Sequence, residues 1–332
     1  MAAVSHIGTA DVVEPAIACD PLQQRVALPL RYEWFPLGFS LEVSTNSKHV
    51  LSAAEMSWGY WPHRIFDKPS LAIHLVVTGE RKGNCPPAPS FRGQKHLMSV
   101  VADAQNYAVC DLNQGFAFAW LTEDAVSNLP YLRYHFLEGI ALTMLAARYV
   151  VPLHAACVER NGKAVLLCGN SGAGKSSLAY ACARAGWRFL SDDASYLVCQ
   201  RDRLVVGNSQ RLRLRPSAGE LFPEFGGFGL TPRAAGKPSI EIPTSQLSLA
   251  TTDRATVEHV VFLNRQLGNE GALLPLPRPV ALAWARQTEA VDGNNHERVQ
   301  ALDRLLSAQL HEMRYSRLED AVTCLEQLVR HG

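Results

Sequence analysis

One run of eight residues limits what this chain can be: Gly169-Asn170-Ser171-Gly172-Ala173-Gly174-Lys175-Ser176. It is G-x-x-x-x-G-K-[ST], the phosphate-binding P-loop pattern. The apolar run Ala164-Val165-Leu166-Leu167-Cys168 before it reads as a buried strand, and Ser177 to Arg184 after it reads as a helix. Strand, glycine loop and helix form the context the pattern requires. The glycines let successive backbone N–H groups face a polyphosphate, and the helix N-terminus adds the positive end of its dipole. Lys175 is placed to reach the outer phosphates and the Ser176 hydroxyl to face Mg²⁺, with Gly169, Asn170, Ser171, Gly172, Ala173, Gly174 and Ser177 completing the expected nucleotide cradle.

The residues on either side of the loop add chemistry. Asn161-Gly162 between two apolar runs signals a two-residue hairpin. Counting outward pairs Arg160 with Lys163, and continuing the register brings His154 beside Gly169. After the P-loop helix, Trp187-Arg188-Phe189-Leu190 reads as a strand that ends in Ser191-Asp192-Asp193. A right-handed parallel crossover would bring that strand end to the sheet edge that carries the loop, where ligands bind in such sheets. Two carboxylates are therefore expected beside the phosphate cradle. If the strand continued through them, they would point to opposite sides. One would face a metal and the other an incoming hydroxyl, as phosphoryl transfer requires.

Further along, Arg211-Leu212-Arg213-Leu214-Arg215 alternates, which puts three arginines on one strand face. That face is either simply solvated or an anion-reading stripe through Arg213 and Arg215. Residues 216–238 form a long glycine- and proline-rich connection of the kind that often covers sites, and Lys237 near its end is a candidate second phosphate contact. His135, on a periodic helix over 129–149, is expected to be structural, and that helix is expected to pack on the P-loop sheet.

With 332 residues the chain is long enough for about two domains. Short alternating runs such as Leu71 to Val77 and Gly115 to Leu121 make residues 1–125 a mostly β module, with its tryptophans expected in the core, and leave 126–332 for the P-loop domain. A net charge of +1 gives no global field to attract nucleic acid or membrane. Eight scattered cysteines without a C-x-x-C pair suit buried thiols in a cytoplasmic protein, and no apolar run is long enough to span a bilayer.

His154, the P-loop and Asp192-Asp193, only 17 residues after Lys175, together resemble HPr kinase/phosphorylase. In that family a histidine precedes the loop by a hairpin and an aspartate pair follows the loop's helix. The resemblance covers about 150–200 and implies an α/β P-loop kinase core of HPr kinase / phosphoenolpyruvate carboxykinase type. It implies Mg²⁺ and ATP as cofactors and a seryl hydroxyl on a small carrier protein as acceptor, with a homo-oligomer as a possible assembly. On it, Ser176 and Asp193 would hold the metal, Asp192 would act as base and His154 would support the aspartates or the γ-phosphate, the two aspartates being interchangeable. The family's later arginine-bearing signature loop is not found, so a phosphorylase half-reaction is not implied. The first module does not resemble the family's regulatory domain. The layout is more similar to HPr-kinase-related proteins encoded with peptide natural products, lasso-peptide kinases among them, which act on a serine of a precursor peptide. A small-molecule kinase and a non-catalytic ATP-sensing module stay open beside that reading.

Overall fold

The computed structural model describes residues 26–79, 83–231, 238–266, 268, 271–288 and 296–331. The chain is a mixed α/β protein, and the strands among the described residues form three sheets. The first holds β1 (Leu30–Trp34), β2 (Leu41–Thr45), β3 (Leu71–Thr78), β4 (Ser90–Gln94), β5 (Leu97–Val101), β6 (Tyr107–Asp111) and β7 (Phe116–Thr122), in the order β1-β2-β3-β7-β6-β5-β4. The pairs β2–β3 and β3–β7 are parallel and the others antiparallel. In β7 the expected alternation holds, with Ala117, Ala119 and Leu121 fully buried. α1 (Lys48–Trp58) lies between β2 and β3 in the chain. Trp34, Trp58 and Trp61 are buried, as aromatic cores require.

After α2 (Glu123–Ser127), α3 (Leu129–Tyr131), a π-helical stretch (Leu132–Glu138) and α4 (Gly139–Arg148) follow without a break. Asn128 caps the start, its side chain accepting from Tyr131 N at 3.2 Å. The helix is where its period predicts, and it packs on the sheet that carries the P-loop as expected and on the first sheet as well. Leu132, Phe136, Ile140 and Met144 share one core with Ile73, Leu75 and Leu121 of the first sheet and with Val150, Val198 and Val206 of the sheet that carries the P-loop. The alternating strands of the first sheet offer an apolar face that must be covered, and the nearest amphipathic helix covers it. His135 is buried there against Tyr131, in keeping with a structural role.

The second sheet begins with β8 (Val150–Leu153), β9 (Ala156–Arg160) and β10 (Lys163–Cys168), continues after α5 (Lys175–Arg184) with β11 (Arg188–Ser191), β12 (Ser195–Val198) and β13 (Leu204–Gly207), and closes after a small separate sheet. That small sheet pairs β14 (Arg211–Leu214) and, after α6 (Ala218–Leu221), β15 (Leu230–Thr231) with β16 (Ser239–Pro243). The large sheet then takes β17 (Arg254–Arg265) and β18 (Ala272–Pro275) and, beyond α7 (Arg278–Thr288) and α8 (His296–Leu305), β19 (Gln309–Tyr315); α9 (Leu318–His331) ends the chain. The order is β11-β9-β10-β17-β13-β12-β8, with β19 also on β17 and β18 on β19. Leu178 and Cys182 of α5 share a core with Leu325 and Val329 of α9, whereas Leu302 and Leu305 of α8 lie in a second core with Leu166 and Val260. Both faces of the sheet are thereby covered, as a parallel core needs.

The register Arg160↔Lys163 is as expected, and Asn161 (φ 56°) and Gly162 (φ 82°) take the left-handed conformations that a tight hairpin turn demands. Because β9 is antiparallel to both β10 and β11, those two strands run parallel. Their carboxyl ends share one sheet edge. Among the described residues no helix is long and apolar enough to cross a membrane.

Candidate functional site

At that edge the chain makes its P-loop. Gly169, Gly172 and Gly174 all have positive φ, at 147°, 90° and 96°. At Gly174 a Cβ would stand 2.6 Å from the Tyr315 hydroxyl, which itself donates to Ala173 O at 2.8 Å. A side chain here would collide with the group that pins the loop, so glycine is needed for space as well as for conformation. Lys175 opens α5, whose first N–H groups have no helical acceptor and face the loop.

The Lys175 ammonium is folded back over the cradle. Its Nζ donates to Gly169 O at 2.7 Å and Asn170 O at 3.2 Å and lies 3.1 Å from His154 Nε2. Burial lowers its pKa, and the Asp193 charge opposes that shift. An ammonium only donates, so His154 Nε2 must accept. The imidazole proton then sits on Nδ1, which donates across 3.3 Å to Asp193 Oδ1. His154 therefore bridges the loop lysine to one aspartate. The β9–β10 ladder ends at Ala156↔Leu167 and the chain kinks into β8, yet the ring still lands beside Lys175, one contact removed from Gly169.

The two aspartates follow the end of β11, in the bend before β12 rather than on a continuing strand. The alternation argument for their opposite directions therefore does not apply, and individual contacts decide where each goes. Ser176 Oγ donates to Asp192 O at 3.0 Å, tying the bend to the first turn of α5. Ser191 Oγ meets Ser195 Oγ at 2.6 Å, and Ser195 Oγ donates to Ala155 O at 2.9 Å, tying it to the His154 segment. The Asp192 carboxylate accepts the backbone N–H of Arg213. Asp192 is 6% exposed, and burial pushes its carboxyl up to about 7 against that hydrogen bond, with the neighbouring Asp193 charge adding to the rise.

Two cavities meet at this bend. The first, about 220 Å³, is lined by His154, Ser171, Gly172, Gly174, Lys175, Ser176, Ser177, Asp193, Arg215 and Arg265. The second, about 80 Å³, holds both Asp192 and Asp193 and runs toward the first sheet. Asp193 lines both.

The arginine stripe divides. Leu212 and Leu214 are buried, as expected. Arg215 reaches the loop, its Nη2 donating to Ser171 Oγ at 2.5 Å. Arg213, expected as a substrate or phosphate contact, does not line the cradle: its guanidinium binds Glu241 at 3.1 Å, lies 3.7 Å from Glu138 and borders the second cavity. Burial would raise the Glu241 carboxyl, but Arg213, with Arg211 and the Tyr134 hydroxyl, holds it down to about 2, so this acid is committed to the arginines. Lys237 lies outside the described residues. Two residues that sequence reasoning did not single out complete the cradle. Arg265 ends β17, which is parallel to β10, and Tyr315 ends β19, which is parallel to β17. Parallel neighbours of the P-loop strand deliver their last residues to the same edge, but that pairing is not written in local sequence.

The arrangement can hold a polyphosphate against N–H groups, an ammonium and two guanidiniums. It can bind a hard cation between Ser176 and Asp193 and accept a proton on a carboxylate beside it. Ser176 and Asp193 offer hydroxyl and carboxylate oxygens on one cavity wall, the donor set Mg²⁺ takes when water and phosphate oxygens supply the rest. No group of three or more His, Cys, Asp or Glu that could hold a metal on its own occurs among the described residues.

No family model matches the chain, and no curated protein matches it. Among solved structures it is similar to the Hpr(Ser) kinase/phosphatase from Coxiella burnetii, at 14% identity and a TM-score of 0.31, over 55% of this chain and 99% of that one.

Proposed function

We propose that this chain is an ATP- and Mg²⁺-dependent kinase that transfers the γ-phosphate to a serine hydroxyl of a protein or precursor peptide. The observation that carries the reading is the split of the aspartate pair: Asp193 lies on the phosphate cradle bound to His154, while Asp192 faces only the second cavity with its carboxyl pushed up to about 7. A proton acceptor poised near neutrality beside a phosphate cradle is what hydroxyl phosphorylation needs, and a passive nucleotide sensor has no use for it.

In this reading the acceptor oxygen attacks the γ-phosphorus as its proton passes to the Asp192 carboxylate. The bond from the γ-phosphorus to the β–γ bridging oxygen breaks, and its electron pair leaves on ADP. Ser176 and Asp193 would hold Mg²⁺, which when bound neutralises charge on the phosphates. Lys175, Arg215 and Arg265 hold the phosphates in the geometry that precedes attack. Residues 1–125 form an accessory module for acceptor recognition.

Two variants test the metal half. Asp193→Asn should raise the Mg²⁺ concentration at half-maximal turnover by at least about 10-fold, since it loses an anionic oxygen ligand. His154→Ala removes the donor that orients Asp193, and supporting residues of this kind are worth about 10–100-fold in metal affinity or activity. Mg²⁺ titrations of phosphate transfer from γ-labelled ATP check both. Unchanged metal dependence in Asp193→Asn would remove this carboxylate from the metal site.

A further inference from the structure

We propose that the second cavity is the acceptor site, and that the first module and α4 together build its far wall. The proposal rests on the kinase reading above. It deepens that reading by giving the acceptor a place and a size.

The cavity has the bend with Asp192 and Asp193 on one side. On the other stand Leu37, Trp58, Tyr60 and Leu142, from the β1–β2 connection, the end of α1 and the residues after it, and α4. Asp193 is the one aspartate common to the two cavities. A γ-phosphate held over Lys175 would then have its leaving ADP on the P-loop side and Asp193, shared by both cavities, toward the second. In-line transfer needs the nucleophile on the side opposite the leaving group. The second cavity supplies that side, and Asp192, which lines it and not the first, stands where the acceptor's proton must go.

Three features fit the cavity to a serine side chain. At about 80 Å³ it is the smaller of the two cavities and has room for a hydroxymethyl group. Its far wall carries buried apolar side chains, Leu37 and Trp58 each being 4% exposed, beside Ser57 and Glu138, and this apolar part limits the water that would compete for the phosphoryl group. Leu37 holds φ 54° and ψ 21°, a left-handed conformation that a leucine rarely adopts, and strained residues of this kind concentrate at ligand sites. The wall is also fixed in place. Arg211 Nη2 donates to Met56 O at 2.8 Å, and Tyr134 Oη donates to the Glu241 carboxylate at 2.8 Å, so α1 and the π-helical stretch are tied to the small sheet that supplies Arg213 to Asp192. The chemical class that follows is a serine presented on an extended peptide, its side chain entering the cavity and its backbone outside.

The test uses the full chain, γ-labelled ATP with Mg²⁺, and two acceptor sets: a degenerate peptide library with a fixed central serine, and a panel of free serine, glycerol and glucose. Leu142→Trp fills the cavity from α4 without touching either aspartate, and Leu142→Phe does so with less added volume if the first fails to fold by circular dichroism. Mg-ATP affinity by calorimetry should stay within twofold of wild type in the folded variant. Transfer to the serine library should fall at least 10-fold. Equal transfer in wild type and folded variant overturns the proposal. So does transfer to the small-molecule panel with the library inert, and so does absence of transfer to either set while Mg-ATP still binds. If wild type fails to bind Mg-ATP at all, the kinase reading falls, and the proposal falls with it.

Discussion

Asp192→Asn should cut turnover by about 10²–10⁴-fold, the loss expected when a general base is removed, while leaving Mg-ATP affinity near wild type. The same substitution should make the protein more stable. The folded state holds this carboxyl at about 7 against its ordinary value of 3.8, because burial disfavours the charge more than the Arg213 N–H and guanidinium favour it. A carboxyl whose folded pKa is raised binds more protons folded than unfolded between those two values. Stability therefore falls as pH rises from about 4 toward 7, and the full cost is present above 7, where it is on the order of 4 kcal/mol. Asparagine keeps an oxygen for the Arg213 N–H and carries no charge. Its melting temperature at pH 8 should exceed wild type by several degrees, at roughly 2 °C per kcal/mol, the lower end of the range for domains of about 150–250 residues. The gain should shrink at pH 5, where the folded wild type carries the proton and escapes most of the cost. Paired melts at pH 5 and pH 8, with turnover on whichever serine acceptor is active, separate the outcomes. A variant that is inactive and less stable at pH 8 would make Asp192 a structural residue. In wild type the rate should climb through pH 7 as Asp192 ionises, and the variant should lack that limb.

That trade-off is visible only in three dimensions, and it marks where sequence reading stops. The P-loop was legible because its parts are contiguous: a strand, three glycines of positive φ and a helix start within 163–176. His154 was legible because a two-residue Asn161-Gly162 turn fixes register, and register fixes neighbours. The aspartate pair was legible as a strand end at the right sheet edge. Its geometry was not, because β11 stops at Ser191 and the carboxylates are aimed by Ser176, Arg213 and Ser195 instead of by strand alternation. Arg265 and Tyr315 lie 90 and 140 residues past Lys175 (265 − 175 and 315 − 175) and reach the loop only because β10, β17 and β19 are parallel neighbours. Strand partners distant in sequence carry no local signal. The helix through Phe136 and Ile140 shows the same limit: its apolar period states that it must be buried and is silent on its sharing one core with strands of two sheets. Arg213 and Arg215 share one strand face, yet Glu241 and Glu138 capture the first and leave the second to the loop, a choice made by acids from β16 and the π-helical stretch.

Lys175→Met should abolish measurable phosphoryl transfer and leave the fold intact. The side chain is 6% exposed and spans the cradle, so no other cation can take its position. Arg215 is held on Ser171 at the loop's outer side, and Arg265 comes from β17. Loss of one preorganised group that stabilises developing charge costs about 10²–10³-fold in kcat. Lys175 would act on the outer phosphates directly and also supports His154, and through it Asp193, so its loss should reach or exceed the upper end. Stability pulls two ways. Methionine gives up the bonds to Gly169 O and Asn170 O, but it also removes an ammonium that burial disfavours. Because the folded pKa lies below the ordinary 10.5, the ammonium's cost is present at neutral pH and is relieved as pH rises toward 10.5. The melting temperature at pH 7 should therefore stay within a few degrees of wild type. The discriminating measurement is calorimetric Mg-ATP titration beside the melt. A folded variant that binds and turns over Mg-ATP like wild type would show that the lysine's three contacts serve only to close an empty loop, and the cradle would lose its claim to a nucleotide.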